Sequence, residues 1–108
     1  MTYTPVCRID DILPDTGVAA RVDDRHVAVF RIGVDEPRVF AIDNVDPNAG
    51  AAVLSRGLVG SIGERIVVAS PIYKHHFDLQ SGECLEAPEN SVSAYPVRVE
   101  NRQVQVAI

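Results

Sequence analysis

The sequence predicts an all-β fold, a sandwich or small barrel of short antiparallel strands, and three observations support this prediction. Turn-forming Gly, Pro, Asn and Asp recur about every 8 to 12 residues. The runs between them are rich in β-branched residues, which favour strands. No long segment shows the apolar period of an α-helix. A length of 108 residues is typical of one domain, so residues 1–108 are expected to form a single domain.

Short strands separated by turn residues are predicted along most of the chain. The first predicted hairpin turns at residues 23–25, and the last turns at Asn101 and Arg102. On both sides of the last turn, valines alternate with polar residues, so one face of this hairpin should be buried. The predicted strands span residues 4–8, 18–22, 26–34, 38–43, 66–70, 77–79, 95–100 and 103–107.

The segment between residues 43 and 66 breaks this pattern, because Gly, Pro and Asn interrupt it repeatedly. Long irregular segments in compact domains are usually functional or disordered. The glycines within residues 57–63 lack the preceding strand and following helix of a nucleotide site, and no Lys with Ser or Thr follows them. We therefore expect residues 57–63 to form a flexible loop.

Composition and charge exclude several classes of partner. The net charge is -5 and the isoelectric point is about 5.0, which argues against the basic surface that binds nucleic acid or anionic lipid. No apolar stretch approaches the roughly 20 residues of a membrane-spanning helix, and no leader opens the sequence. We expect a cytoplasmic protein that binds neither nucleic acid nor membrane.

The cysteines and histidines do not form a metal-binding pattern. Cys7 and Cys84 are far apart and belong to no Cys-x-x-Cys motif, so both are expected to be buried thiols, although a disulfide stays open at this stage. His75 and His76 are neighbours, and neighbouring side chains on an extended backbone point to opposite faces. His26 belongs to a distant strand.

Two segments resemble the ligand loops of Rieske iron-sulfur domains. Residues 70–84, SPIYKHHFDLQSGEC, resemble the second loop, in which Cys-Pro-x-His precedes Phe-Asp-Leu and a Gly. Residues 39–47, VFAIDNVDP, resemble the strand that leads into the first loop, Cys-x-His. The resemblance implies a Rieske-like antiparallel sandwich or small barrel with a cluster-binding-like subdomain. The ligand positions that it implies are Asn44 and Asp46 in the first loop and Ser70 and Tyr73 in the second.

None of these four residues is a Rieske ligand. A Rieske cluster is held by two Cys thiolates and two His imidazoles. Asn and Ser are poor iron ligands, whereas Asp and Tyr are hard oxygen donors. We therefore expect the chain to bind no cluster. We also expect the two loops still to meet, with Tyr73 packing or hydrogen-bonding against residues 44–46 where the cluster would lie.

The replaced ligands and the enlarged segment between the loops resemble the small subunits of bacterial NAD(P)H-dependent nitrite reductases. Residues 54–60, LSRGLVG, and residues 67–74, VVASPIYK, carry this resemblance. It implies a companion large subunit that carries flavin, an iron-sulfur cluster and siroheme, and that reduces nitrite to ammonium for nitrogen assimilation in the cytoplasm. It implies no catalytic, cofactor-binding or metal-binding residue in this chain, because the chemistry belongs to cofactors bound elsewhere.

The tip formed by the two loops faces the redox partner in an active Rieske domain, so by analogy we expect it to dock on the large subunit. Interfaces favour aromatic and apolar anchors within a polar rim. The residues expected to dock are Tyr73, Lys74, His75, Leu54, Leu58 and Val59. Two alternatives stay open: a freestanding Rieske-superfamily interaction module for another oxidoreductase, and a metal or electron carrier with unusual ligands.

Overall fold

Short antiparallel strands make up most of residues 2–108, the part of the chain that the computed structural model describes, and they confirm the all-β prediction. The strands are β1 (Tyr3–Arg8), β2 (Thr16–Val22), β3 (Arg25–Ile32), β4 (Arg38–Asp43), β5 (Val45–Asp46), β6 (Ala51–Ala52), β7 (Leu58–Ile62), β8 (Arg65–Ala69), β9 (His76–Asp78), β10 (Ala94–Tyr95), β11 (Val97–Glu100) and β12 (Gln103–Ala107). Short 3-10 helices lie at Ile9–Asp11, Leu54–Arg56 and Pro88–Asn90. No helix within residues 2–108 is long and apolar enough to cross a membrane.

Two sheets enclose a first hydrophobic core. Their strand orders are β1-β12-β11 and β10-β4-β3-β2. Asp23 and Asp24 (φ 47° and 66°) form one hairpin turn, and Asn101 and Arg102 (φ 51° and 63°) form another. These left-handed values match the strand twist at two-residue hairpins, and both turns lie where the sequence predicts them. The core consists of Ile9, Ile12, Val22, Val27, Val29, Ala41, Val104 and Val106.

A third sheet, with the order β7-β8-β9, covers a second core. Strand β3 joins the two cores, because Val29 faces the first while Phe30 faces the second, as alternating side chains on a strand do. The second core consists of Ala28, Phe30, Ile42, Leu54, Val68, Phe77, Leu79 and Cys84. Strands β4 and β8 each end next to a former ligand loop, so this core supports both loops.

Proline divides one predicted strand into two. The sequence predicts a continuous strand over residues 95–100, but Tyr95 pairs with Ala41 in one sheet, while Val97 pairs with Val106 in the other. Pro96 lies between them and has no N–H to donate to a ladder, so the chain changes sheets there.

The prediction of a flexible loop over residues 57–63 is wrong. Residues Leu58–Ile62 form β7, which pairs with β8 over its whole length. Gly63 adopts a left-handed conformation (φ 61°) in the turn that joins the two strands. Such glycines terminate a strand at a hairpin rather than making the preceding residues flexible.

Candidate functional site

Asn44, the first of the former ligand positions, organises the loop that follows it. The residue is 2% exposed, and its side-chain Oδ1 accepts a hydrogen bond from the Ser55 N–H at 2.7 Å. Its backbone carbonyl accepts the N–H groups of Val53 and Leu54 at 3.0 and 3.1 Å. Asn44 therefore has its acceptors occupied by the loop's own backbone.

Asp46, the second position, connects the two former ligand loops. It is fully buried, and its Oδ1 accepts the backbone N–H of Asn48 at 2.8 Å and the Asn48 side-chain amide at 3.2 Å. Its Oδ2 accepts a hydrogen bond from the hydroxyl of Ser70, which belongs to the other loop and is 1% exposed. A buried carboxylate and a buried hydroxyl, at two of the four former ligand positions, thus join the two loops.

The second loop closes on itself as a tight turn. The Ser70 N–H donates to the His75 carbonyl at 2.9 Å, and the Lys74 N–H donates to the Ser70 carbonyl at 3.0 Å. Lys74 adopts a left-handed conformation (φ 58°), which turns the chain back toward β9. Tyr73, at the apex, is 60% exposed. The expectation that the two loops meet is confirmed by the hydrogen bond between Ser70 and Asp46, while Tyr73 forms no side-chain hydrogen bond with residues 44–46 in the described part of the chain.

The residues at the four positions do not fit a [2Fe-2S] cluster. No thiolate or imidazole is present at Asn44, Asp46, Ser70 or Tyr73, and two of these side chains are hydrogen-bonded to each other. Cys7 and Cys84 are both free thiols, but Cys84 lies in the second core and Cys7 packs against the first. Within residues 2–108, no group of three or more His, Cys, Asp and Glu side chains is placed to hold a metal ion.

The two histidines of the second loop have different surroundings. His76 Nδ1 lies 2.5 Å from Glu86 Oε2, and the His76 N–H donates to Glu86 Oε1 at 2.7 Å. Partial burial raises the pKa of Glu86, but the hydrogen bonds from His76 outweigh it and lower that pKa overall. The Nδ1 atom of His75 is buried and has no hydrogen-bond partner within residues 2–108. The pair therefore does not act as a chelate.

Exposed apolar side chains surround the second loop. Leu58 is 80% exposed and Ile72 is 47% exposed, in addition to Tyr73. A shallow groove of about 300 Å³ lies beside them, lined by Arg56, Leu58, Ala69, Ser70, Pro71 and Lys74. We call Leu58, Ile72, Tyr73, Lys74 and His75 the tip surface. Sequence reasoning missed Ile72 and Arg56, although an apolar residue after Pro71 in a polar loop was an available signal.

Two of the residues expected to dock occupy less exposed positions than the sequence suggests. Leu54 is fully buried in the second core, so it cannot contact a partner directly, and the expectation that Leu54 docks is wrong. Val59 is half-buried and packs against the same core. Exposed residues lie close to both in the sequence, such as Arg56 and Leu58. The sequence alone therefore did not show which side chains of residues 54–59 face the core.

Another surface hollow, of about 480 Å³, lies between β3, β4 and the chain before β10. Asp43 lies at the edge of this hollow, and both of its carboxylate oxygens are hydrogen-bonded. One accepts a hydrogen bond from the Tyr95 hydroxyl, and the other accepts one from the Ser93 N–H at 2.9 Å. Burial, and then the hydrogen bond to Asp43, raise the pKa of Tyr95. Arg25 donates to the same hydroxyl at 3.2 Å. These contacts hold β10 against β4 and occupy the polar groups of Asp43 and Tyr95.

Comparisons with known proteins agree with this geometry. Residues 2–107 match the family model of the Rieske-like [2Fe-2S] domain. The chain is 46% identical over 104 residues to the nitrite reductase (NADH) small subunit of Escherichia coli K12, which covers 96% of this chain and 95% of that one. A crystal structure of a candidate NADH-dependent nitrite reductase small subunit from Mycobacterium tuberculosis superposes with a TM-score of 0.92 at 46% identity, over 99% of this chain and 95% of that one.

A third relative contains a similar segment within a longer protein. The nitrite reductase [NAD(P)H] large subunit of Klebsiella oxytoca is 42% identical over 104 residues, which are 96% of this chain but 11% of that one. The former ligand loops, the fold around them and the near full-length similarity are in agreement. The chain belongs to the Rieske-like domain family, in the group formed by the small subunits of NAD(P)H-dependent nitrite reductases.

Proposed function

We propose that this chain is the accessory small subunit of an NAD(P)H-dependent nitrite reductase and supports the reduction of nitrite to ammonium without catalysing a step itself. The near full-length similarity to a nitrite reductase small subunit carries this proposal. The relative from Klebsiella oxytoca adds support, because a segment similar to this chain is part of a protein named as a large subunit. The flavin, siroheme and iron-sulfur cluster would belong to the large subunit, in the cytoplasm.

A non-catalytic role is supported by the former ligand loops. Asp46 and Ser70 bind each other, and Asn44 binds the backbone of its own loop. These residues can hold the tip in shape, but they offer no group that transfers an electron at accessible potential. The chain would then influence nitrite reduction by binding a protein that carries the cofactors.

The tip surface is the docking face that we propose. It combines the exposed Leu58, Ile72 and Tyr73 with the positive charge of Lys74, in a chain whose net charge is negative. Exposed aromatic and apolar groups beside a charge are typical of binding anchors.

Coexpression with a candidate large subunit tests the proposal. We expect Tyr73→Ala and Lys74→Glu each to weaken copurification by about tenfold and to lower NAD(P)H-dependent nitrite reduction when the small subunit is limiting. Circular dichroism of the isolated variants should match the parent, because both side chains are exposed.

Matched control residues lie on the surface of strands that border the first core, away from the former ligand loops. Arg98→Ala on β11 truncates a large exposed side chain, and Arg21→Glu on β2 reverses an exposed charge. Both variants should bind and support turnover like the parent. If they lose binding while the tip variants keep it, the docking face is elsewhere. Failure of the parent to copurify with any nitrite reductase large subunit would favour the alternative of an interaction module for another oxidoreductase.

A further inference from the structure

The shallow groove beside the second loop differs in charge from the chain as a whole. None of the residues that line it is acidic, whereas the chain has a net charge of -5. Two of the lining residues, Arg56 and Lys74, are cationic and exposed. Neither forms an ion pair within residues 2–108. We call this feature the cationic groove.

The fold fixes the backbone that carries Arg56. This residue ends a 3-10 helix whose first residue, Leu54, is buried in the second core. The Arg56 N–H donates to the Val53 carbonyl at 2.9 Å, and the Gly57 N–H donates to the Leu54 carbonyl at 3.0 Å. Gly57 lies so close to β8 that an added Cβ would be 2.3 Å from the Ala69 carbonyl oxygen. Arg56 is thus held next to the strand that leads into the second loop.

The second loop fixes Lys74 at the same groove. The Lys74 N–H donates to the Ser70 carbonyl at 3.0 Å, and the Ser70 hydroxyl is in turn bonded to the buried Asp46. Lys74 has a left-handed backbone (φ 58°), which is uncommon for a residue other than Gly, Asn or Asp. It is also the only lysine in the chain. An ammonium group therefore stands where glycine would fit the backbone with less strain.

The rest of the groove lining offers mainly apolar contacts. Leu58, Ala69 and Pro71 line it, and Leu58 pairs with Ala69 across β7 and β8. Leu58 is 80% exposed, so its side chain is available to a partner. Ser70 is 1% exposed, and its hydroxyl is already hydrogen-bonded to Asp46. The groove thus combines two cationic donors with an apolar lining.

This combination fits a segment that carries carboxylates next to an apolar side chain. A guanidinium can bind a carboxylate through two parallel hydrogen bonds, and an ammonium attracts it as a point charge. Because both cations are exposed, a free small anion gains little from them in water. A segment that also covers Leu58 gains apolar burial in addition. Charge complementarity then selects an acidic segment over a neutral or basic one.

We propose that the cationic groove binds an acidic segment of the nitrite reductase large subunit. Arg56 and Lys74 contact its carboxylates, and Leu58 covers an apolar side chain beside them. Arg56 lies outside the tip surface and becomes a binding residue. Both cations are carried by backbone that the fold already fixes, so little ordering is needed on binding. The identity of the partner rests on the proposed function, whereas the chemistry of the bound segment follows from the groove.

A salt titration of the complex tests the charge complementarity. We expect the Kd of the full chain for the large subunit to rise by about tenfold between about 0.05 M and about 0.5 M NaCl, since salt screens exposed charges. Arg56→Gln and Lys74→Gln should each raise the Kd at low salt by about fivefold, and the double variant should respond much less to salt. Arg21→Gln removes an exposed charge on β2 and should change the Kd by less than about twofold.

Carbodiimide cross-linking identifies the occupant of the groove. The reagent joins a carboxylate to an amine that touches it, and Lys74 supplies the only side-chain amine of this chain. Mass spectrometry of the cross-linked complex should find Lys74 joined to an Asp or Glu of the large subunit, and Arg56→Gln should reduce the yield. Lys74→Arg keeps the positive charge but lacks the amine. It should therefore lose this cross-link while losing less affinity than Lys74→Gln.

Leu58→Ser separates the apolar contribution from the ionic one. It should weaken binding while leaving the salt dependence unchanged, because it removes apolar burial and no charge.

Two results would overturn the groove and leave the proposed function intact. One is a complex whose affinity is unchanged by both Arg56→Gln and Lys74→Gln. The other is a Lys74 cross-link to a second copy of this chain in place of the large subunit. A parent chain that does not bind the large subunit overturns the proposed function and this inference together.

Discussion

Asp46 shows how a single side chain can replace the connection that a metal cluster makes between two loops. It has no exposed surface, and its carboxylate accepts hydrogen bonds from Asn48 and from the Ser70 hydroxyl. In a Rieske domain the cluster joins the loops through its ligands. Here a hydrogen bond between Ser70 and Asp46 makes the structural connection between the two loops.

Removing the Asp46 carboxylate should destabilise the fold. We expect Asp46→Ala to lower the free energy of unfolding by about 2 to 3 kcal/mol, because the buried Ser70 hydroxyl and Asn48 amide lose their acceptor. Urea denaturation measures this change. Asp35→Ala, at an exposed carboxylate whose backbone is not left-handed, should change stability by less than about 0.5 kcal/mol.

The pairing between Asp46 and Ser70 can be isolated with a double-mutant cycle. Ser70→Ala alone should also destabilise, and the double variant should lose less than the sum of the single changes by about 1 kcal/mol. Purely additive effects would contradict a direct interaction between these two side chains.

The candidate site shows what the sequence could not supply at this scale. The resemblance of residues 39–47 and 70–84 to Rieske loops was enough to locate Asp46 and Ser70. It could not show that Leu54 faces the core while Leu58 faces solvent, because an irregular segment has no period from which to infer a side chain's direction. It also could not show that Asp46 and Ser70, rather than Tyr73, form the hydrogen bond that joins the loops.

At the scale of elements, Asp78 holds the turn that follows β9. Its Oδ2 accepts a hydrogen bond from Arg65 Nε on β8 at 2.7 Å, and its Oδ1 accepts the N–H groups of Gln80 and Ser81 at 2.7 and 3.0 Å. Partial burial raises the pKa of Asp78, but these hydrogen bonds outweigh it and lower the pKa overall. The carboxylate therefore links the strand pair to its turn.

A lowered pKa makes this contribution depend on pH. The stability that Asp78 supplies is fully present above its unfolded pKa, about 3.9, and is lost as the pH falls through the lower folded value. We expect Asp78→Asn to show a smaller loss of stability than the parent between pH 7 and pH 3, measured from urea midpoints. An equal acid-induced loss in both proteins would show that Asp78 does not contribute in this way.

Strand positions were largely predictable because most of these strands bury one face. The alternation of valines located β11 and β12, and β4 was predicted with its observed bounds. Strand β7 was missed for a physical reason, since glycines at residues 57, 60 and 63 hide its apolar pattern. Gly57 is needed because a Cβ there would lie 2.3 Å from the Ala69 carbonyl oxygen of β8. Gly57 therefore reflects close pairing and Gly63 a left-handed turn, rather than flexibility.

At the scale of the whole molecule, the terminal strands border one hydrophobic core, and the tip surface is next to the other. Strand β1 pairs with β12, with Tyr3 opposite Ala107, and both strands border the first core. The loops of the tip surface leave strands that border the second core. A chain attached at either terminus would therefore begin at a strand that borders the first core, whereas the tip surface leaves strands that border the second.

This arrangement predicts that covalent attachment to the large subunit preserves function. A flexible Gly/Ser linker of about 40 residues has a root-mean-square span of about 35 Å, which matches the longest dimension of this chain, 37 Å. A fusion of the large subunit to the N-terminus of this chain should therefore reduce nitrite without a separate small subunit, as measured by NAD(P)H oxidation.

Tethering also distinguishes weakened docking from a direct role of Tyr73 in turnover. An effective concentration in the millimolar range compensates for a tenfold loss of affinity. Tyr73→Ala should therefore lower nitrite reduction when the subunits are separate and dilute, but recover most of the parental rate within the fusion. If the tethered variant stays as impaired as the untethered one, Tyr73 affects the large subunit after binding, and a docking role for the tip surface would not be sufficient.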